Sequence, residues 1–353
     1  MFETFGFENL TAPQVTVFFA LAVGVLFGFF AERTQFCFRR ALVGHDRRAA
    51  AGVWLLALAV AMIGTQVAVF AELISFGDHR FMTSDLPVVA ILLGGALFGA
   101  GMVLTRGCAS RLTVLSGTGN LRALMVLFIF AFVAHATLKG LLSPLRVGLG
   151  GITVSLENAA LPGPAGLWVA VVVLVALLVA VRSGNTLLRL LGAVAIGALV
   201  PLAWVGTGFV LYDDFDPVAF ESLSFTAPAA DSLFFTVAST AVSANFGVGL
   251  IGGVIAGSLL ASLLFKSFQW RSFETPRQTG RYMFGAVLMG FGGVLAGGCT
   301  VGAGLSGLPT LSISAVLAVA AIAAGALATN SVLSASLRGS GAPSTTPPLQ
   351  PAE

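Results

Sequence analysis

Gly94-Gly95-Ala96-Leu97-Phe98-Gly99-Ala100-Gly101-Met102-Val103-Leu104-Thr105-Arg106-Gly107-Cys108 and Gly285-Ala286-Val287-Leu288-Met289-Gly290-Phe291-Gly292-Gly293-Val294-Leu295-Ala296-Gly297-Gly298-Cys299 are two versions of one stretch. With Cys108 set on Cys299, Gly94 meets Gly285, Gly99 meets Gly290, Gly101 meets Gly292 and Gly107 meets Gly298. Val103-Leu104 falls on Val294-Leu295, and after a slip of one residue Leu115-Ser116-Gly117 falls on Leu305-Ser306-Gly307. Each copy is an apolar run of nearly bilayer length, then a Gly-Cys pair, then a short segment rich in small and hydroxyl residues.

Outward from these copies the chain reads as an all-α polytopic membrane protein. Of 353 residues 57% are apolar and only 9% charged, with a mean hydropathy of +0.98. A soluble domain carries about 25% charged residues, so the solvent that accepts this surface is lipid. A crossing takes about 20 apolar residues. Stretches 15–32, 50–72, 87–105, 121–142, 165–181, 187–210, 244–265, 281–297 and 311–334 qualify, which makes about nine transmembrane helices. The pieces 34–46, 107–118, 230–243 and 298–308 are too short to cross and too apolar for ordinary loops, as re-entrant helices buried in protein are. Met1–Gln14 holds Glu3 and Glu8 and no Lys or Arg, so no cleavable signal peptide is expected. The stretch 339–353, rich in Pro, Ser and Thr, reads as a disordered cytoplasmic tail.

Basic residues set the sidedness. All 18 Lys and Arg except Arg80, Lys139 and Arg146 fall in the odd-numbered connections or near the C-terminus. That pattern predicts a cytoplasmic C-terminus and an N-terminus that faces outward. The duplication divides the chain into a first repeat, 1–142, a linker with one span, 143–186, and a second repeat, 187–338. An odd number of crossings separates the copies, so the repeats are expected to be inverted around a central path, an arrangement typical of transporters. Spacings Gly24/Gly28, Gly95/Gly99, Gly253/Gly257 and Gly293/Gly297 read as small-residue faces for helix packing.

The candidate chemistry lies in the interruptions. A short helix opening at Gly107-Cys108-Ala109-Ser110 and another at Gly298-Cys299-Thr300 would aim N–H groups at a shared axis. That environment suits an anion with a soft, sulfur-like atom. Buried Cys is often merely a small hydrophobe, but two in duplicated settings point to use. Cys37, within Thr34-Gln35-Phe36-Cys37-Phe38-Arg39-Arg40, is placed at the cytoplasmic end of the same path. Its second-half counterpart, expected near Ser232-Leu233-Phe234-Phe235-Thr236, carries no Cys. Arg106 and Arg111 bracket Cys108 and either hold an anion or reach back to the interface, whereas Arg39 and Arg40 are explained by topology. His135 and Lys139 read as structural or interfacial. Cys37, Cys108 and Cys299 lie too far apart in sequence for a disulfide framework or zinc site, so neither metal nor cofactor is expected. No basic run suggests nucleic acid.

Gly101-Met102-Val103-Leu104-Thr105-Arg106-Gly107-Cys108-Ala109-Ser110-Arg111-Leu112 resembles the first signature of the YeeE/YedE family of sulfur-transport membrane proteins. Gly290 to Gly302 resembles the second, Phe36-Cys37-Phe38-Arg39-Arg40-Ala41-Leu42 the N-terminal cysteine segment, and Glu221 to Pro228 a mid-chain motif. This resemblance implies a transporter, and no enzyme, for thiosulfate or a related sulfur-containing anion, with Cys37, Cys108 and Cys299 lining the path and Gly107, Gly298, Ser110, Thr300, Arg106 and Arg111 in support. Many members have Gly three places after the first signature Cys, where this chain has Arg111. Thiosulfate is expected to pass between Cys299, Cys108 and Cys37 on weak S–H hydrogen bonds. Membrane lipid and a cytoplasmic TusA-like sulfur carrier or rhodanese-type protein are the expected partners. The alternatives are a membrane thiol sulfurtransferase or oxidoreductase handling sulfur covalently, a transporter of another sulfur or selenium species, and a scaffold for the carrier.

Overall fold

The computed structural model describes residues 11–213 and 215–339, with side chains to residue 335. The expected tail, apart from Gly339 as the last residue of a helix, and most of the N-terminal segment lie outside the described residues. Among those described, nine helices are long and apolar enough to cross a membrane. They include α1 (Ala12–Thr34), α3 (Arg47–Phe70), α4 (Val88–Leu104), α6 (Leu121–Lys139) and α8 (Ala165–Arg182). The others are α9 (Leu187–Val205), α11 (Phe246–Leu264), α12 (Pro276–Leu295) and α13 (Ile313–Gly339). Short helices sit between them: α2 (Phe38–Val43), α5 (Ala109–Gly117), α7 (Ser143–Gly150), α10 (Thr226–Ala238) and a π-helix at Thr300–Gly307. Phe18, Phe128, Phe132, Leu174 and Leu178 stand outward and exposed, as a lipid-facing surface requires.

The Arg-rich connections share one end of the molecule. Arg122 pairs with Glu274 at 3.8 Å, Ser267 donates to Glu32 at 3.0 Å, and Asn185 donates to the Ala49 carbonyl at 2.8 Å. At the opposite, Arg-poor end, β1 (Asp85–Leu86) pairs antiparallel with β2 (Val154–Ser155), and Leu161 N–H bonds the Leu311 carbonyl at 2.8 Å.

Packing follows a simple exchange. α1 packs on α11 and α9 on α3; α4 on α13 and α12 on α6; α2 on α3 and α10 on α11; α5 on α6 and the π-helix on α13. Replacing α1, α2, α3, α4, α5 and α6 by α9, α10, α11, α12, the π-helix and α13 turns each pair into another pair of the same set. The halves are also interlocked, since the largest contacts join elements from different halves. Glycine makes this close approach feasible. A Cβ on Gly24 or Gly28 would collide with the carbonyl oxygen of Leu250 or Val254, and one on Gly253 or Gly257 with that of Leu21 or Val25. Gly95 and Gly99 meet α13 at Ala321 and Ile322 in the same manner. Gly297 does not pack as expected: nothing lies within 4 Å of its Cβ position, and its φ is +73°. It is a turn residue, in a left-handed conformation that only glycine adopts without strain.

The fourth short helix starts earlier than the sequence suggests, at Thr226 instead of near residue 230. Pro228 reads as a helix breaker but sits in the first turn, where its missing N–H costs nothing. The residue in the Cys37 position of this second-half helix is therefore Phe225, immediately before Thr226, and not a residue of 232–236.

Candidate functional site

Each cysteine occupies the residue immediately before a short helix: Cys37 before α2, Cys108 before α5 and Cys299 before the π-helix. Two residues upstream of each, the chain turns through the left-handed region, at Gln35 (φ 52°), Arg106 (φ 60°) and Gly297 (φ 73°). One local design thus recurs three times: a left-handed turn, one residue, then a cysteine at a helix start. Gly298 is needed because a Cβ there would lie 2.9 Å from the Ala303 nitrogen, inside the first helical turn. The Cys299 sulfur accepts from the Gly302 N–H at 3.4 Å, one of the donors that the helix start leaves unpaired.

The three thiols are free and buried. The Cys37 and Cys108 side chains neighbour one another without a hydrogen bond of regular geometry. Cys108 Sγ is also 3.2 Å from Ser110 Oγ. The hydroxyl of Thr300, next in chain to Cys299, sits beside the Cys108 thiol without a hydrogen bond of regular geometry. Cys37, Cys108 and Thr300 are thus neighbours in space, and Cys299 precedes Thr300 in the chain. Phe27, Phe36 and Phe225 are buried nearby, with Phe27 5.3 Å from Phe225 and 6.1 Å from Phe36 between ring centroids. Distance along the chain conceals the thiol pair, so its absence from the local sequence does not weigh against covalent sulfur chemistry.

Two recesses flank these residues. The one at the Arg-poor end, about 870 Å³, is lined by the end of α3, the loop after it, the end of α9, and Gly302 and Ser306 of the π-helix. The one at the Arg-rich end, about 660 Å³, is lined by the end of α1, the loop after α11, the start of α9, and Arg111 and Leu115 of α5. Arg111 and Gly302 each stand three residues after their cysteine, and Leu115 and Ser306 each seven. Apart from the start of α9, the exchange that relates the helix pairs relates these linings as well.

The arginines sort into distinct settings. Arg111 is 4% exposed, and its Nη1 is buried without a hydrogen bond. It reaches the recess and lies within Coulombic range of Cys37, Cys108 and Glu32. Arg106 and Arg39 lie close to one another, Arg281 neighbours both, and Arg39 neighbours Cys37. Among the described residues none of these three guanidinium groups has an ion pair or a hydrogen bond. Arg40, by contrast, is ion-paired to Asp46 and donates to the Gln35 carbonyl at 2.8 Å, which braces the turn before Cys37. His135 stacks on Phe234 at 4.7 Å, a packing role. The sequence reading missed Arg281, assigned to topology, and Arg80, which sits alone in a long connection with no pattern around it.

A family model described as sulphur transport matches residues 33–189 and 183–328, most of the chain. A curated protein of Escherichia coli (strain K12), named thiosulfate transporter TsuA, is 29% identical over 317 residues, covering 81% of this chain and 85% of its own. A protein of the same name from Spirochaeta thermophila is 29% identical over 329 residues, covering 84% and 93%.

Proposed function

The chain belongs to the sulphur-transport family, and from that premise we propose that it carries thiosulfate across a bacterial inner membrane along the row Cys299, Cys108, Cys37. Relatives named as thiosulfate transporters support the choice of substrate. What supports the route is that Cys37 neighbours Cys108, that Thr300 sits beside Cys108 and next in chain to Cys299, and that residues three and seven places after Cys108 and Cys299 line recesses at opposite ends. In this reading the repeats are inverted, the Arg-poor end is periplasmic and the Arg-rich end and C-terminus cytoplasmic.

The route asks that each thiol be neutral as it hands the anion on. An S–H donates a weak hydrogen bond to the terminal sulfur of the anion, whereas a thiolate has nothing to donate and repels it. Unpaired N–H groups at the helix starts receive the oxygens without adding a fixed charge that would trap the ion. Thr300 supplies a hydroxyl between Cys108 and Cys299, and Ser110 one beside Cys108. Arg39, Arg106 and Arg281 then draw the anion to the cytoplasmic exit, where an acidic face of a sulfur carrier or rhodanese-type partner would dock. The test is uptake of radiolabelled thiosulfate by cells carrying single cysteine variants. Cys108→Ala and Cys299→Ala are expected to lower uptake by about tenfold or more, the equivalent of one lost hydrogen bond to a charged group. Wild-type rates in both variants would reject the row as the route.

The adjacency of Cys37 and Cys108 favours one competing reading, covalent handling of sulfur. In it a thiolate attacks the outer sulfur of thiosulfate, the S–S bond breaks and sulfite leaves with the electron pair, so a persulfide on Cys37 or Cys108 is visible after turnover as a mass increase of one sulfur atom. The relay predicts unmodified thiols.

A further inference from the structure

The recess at the Arg-poor end contains charge that the cysteine row does not use. Its lining carries four carboxylates, Glu72, Asp78, Glu221 and Asp231, together with His79 and Arg80. Burial, with Arg80 alongside, lowers the His79 pKa to about 4, so that imidazole is neutral at ordinary pH. Arg80 is therefore the one standing cation among the described lining residues. Its guanidinium makes no hydrogen bond or ion pair among the described residues, and its nearest ring is Phe81, 5.2 Å away. It lies within Coulombic range of Glu221 on the facing wall and of Cys299 at the base.

Both facing groups are held from behind. Arg80 opens a short 3-10 turn, Arg80–Met82, in which His79 Nδ1 accepts from the Phe81 N–H at 3.3 Å and Ser314 donates to the Phe81 carbonyl at 3.1 Å. Glu221 is fixed through its backbone, its carbonyl accepting from the Thr207 hydroxyl at 2.7 Å and its N–H donating to it at 3.2 Å. An arginine and a glutamate that attract one another across an open recess, yet form no ion pair, leave room for something between them.

We propose that this gap is the recognition site for the incoming dianion, with Arg80 binding its oxygens and Glu221 taking up a proton as the dianion arrives. Only that proton makes the charges compatible: a dianion beside an ionised Glu221 would face a carboxylate at contact, whereas a protonated Glu221 donates a hydrogen bond. Burial, the largest cause, already lifts the Glu221 carboxyl above its ordinary value; Arg80 opposes this and Asp231 adds to it. The other groups around Glu221 fit the assignment. Asp231 is engaged by the Asn245 amide at 3.2 Å, and Glu72 and Asp78 stand exposed.

The inference takes its substrate from the thiosulfate reading but tests a different group of residues. Uptake is measured with the full chain in proteoliposomes as a function of thiosulfate concentration and external pH. Arg80→Gln is expected to raise the half-saturating concentration by about tenfold or more with little change in maximal rate, and Arg80→Lys to recover part of the loss. Wild-type half-saturation is expected to fall as external pH drops from about 8 to about 5 as Glu221 gains its proton, and Glu221→Gln, a mimic of the protonated acid, to flatten that dependence. Unchanged half-saturation in Arg80→Gln, or an unaltered pH profile in Glu221→Gln, overturns the assignment. Anion binding is measured separately by the fluorescence of Trp204, which lines the recess, with thiosulfate, sulfate and chloride as probes. If wild type transports no thiosulfate, the substrate reading fails. The recess is then judged on binding: an Arg80-dependent signal with the dianions sustains it, and no signal rejects it.

Discussion

At Cys108 the chain leaves a left-handed arginine and enters a nine-residue α-helix carrying Arg111; at Cys299 it leaves a left-handed glycine and enters a π-helix carrying Gly302 in the same place. The two segments descend through the same turn and present the same thiol, but they floor their recesses differently. At the Arg-rich end a buried guanidinium occupies the wall. At the Arg-poor end the wall is bare backbone, and the cation, Arg80, comes from a loop across the cavity. A π-helix is rare, concentrates at functional sites and spreads its turns, which suits a segment whose backbone is itself the lining. The difference teaches that the duplication fixed where a sulfur atom sits, while each end acquired its charge independently.

The strongest challenge to that contrast is to make the copies alike. Gly302→Arg, the residue of the first copy, would bring a Cβ to 2.7 Å from Ser224 Oγ and push a side chain into the recess. Uptake is expected to fall about a hundredfold, near 3 kcal/mol, with helical circular dichroism retained. Uptake near wild type would mean that the recess is not on the route. The reverse change, Arg111→Met, removes a buried cation whose Nη1 has no hydrogen bond. Replacement of buried charge by a packed apolar side chain commonly stabilises by about 1–3 kcal/mol, so the melting temperature in detergent should rise while uptake falls. A fall in both would make Arg111 structural.

The ends should also part company in acid. His79, whose pKa is lowered to about 4 in the folded protein against 6.5 ordinarily, has a described counterpart in neither the α1 nor the α11 wall of the other recess. The unfolded chain binds this proton near pH 6.5 and the folded one only near pH 4, so stability is lost as pH falls through that window, by about 2–3 kcal/mol at most. Hydrogen exchange at pH 4.5 compared with pH 7, run on wild type and His79→Gln, would show loosening confined to the Arg-poor end and reduced in the variant. Exchange that rises equally at both ends would contradict this. The smallest expected effect concerns the shared turn. Gly297→Ala forces a Cβ onto a left-handed residue and should cost about 1 kcal/mol, while Arg106→Gly relieves the same strain and should raise the melting temperature slightly. Shifts of the same sign would mean that the two turns are not equivalent.

The spans were legible in sequence because lipid admits only helices whose backbone is internally satisfied, and about 20 apolar residues announce one. The short helices other than α7 were legible as apolar pieces that fail to reach that length. The duplicated Gly-Cys stretches gave away two of the three cysteine positions as equivalent. What stayed hidden depends on tertiary placement. Cys37 and Cys108 belong to segments with no local relation, and only the packing of α2 and α5 among the spans brings their thiols together. Arg80 sits on a connection whose composition resembles any polar loop, and the motif that opens at Glu221 does not show that the two residues line one recess. Gly297 misled because a small-residue spacing does not say which glycine is there for its neighbour and which for its own φ.

The glycine contacts between α1 and α11 carry a mechanical consequence. Backbone seated against backbone along a crossing cannot slide without lifting the helices apart, and helices from each half are clasped by helices of the other. Rocking one half as a rigid lever against its twin would tear several such seats at once. The frame is therefore built to stay still, and the parts left to yield are short: three helix starts, their thiols and the aromatic rings beside them. On the proposed route an ion would be handed on through a stationary wall, at a pace set by side-chain rotations.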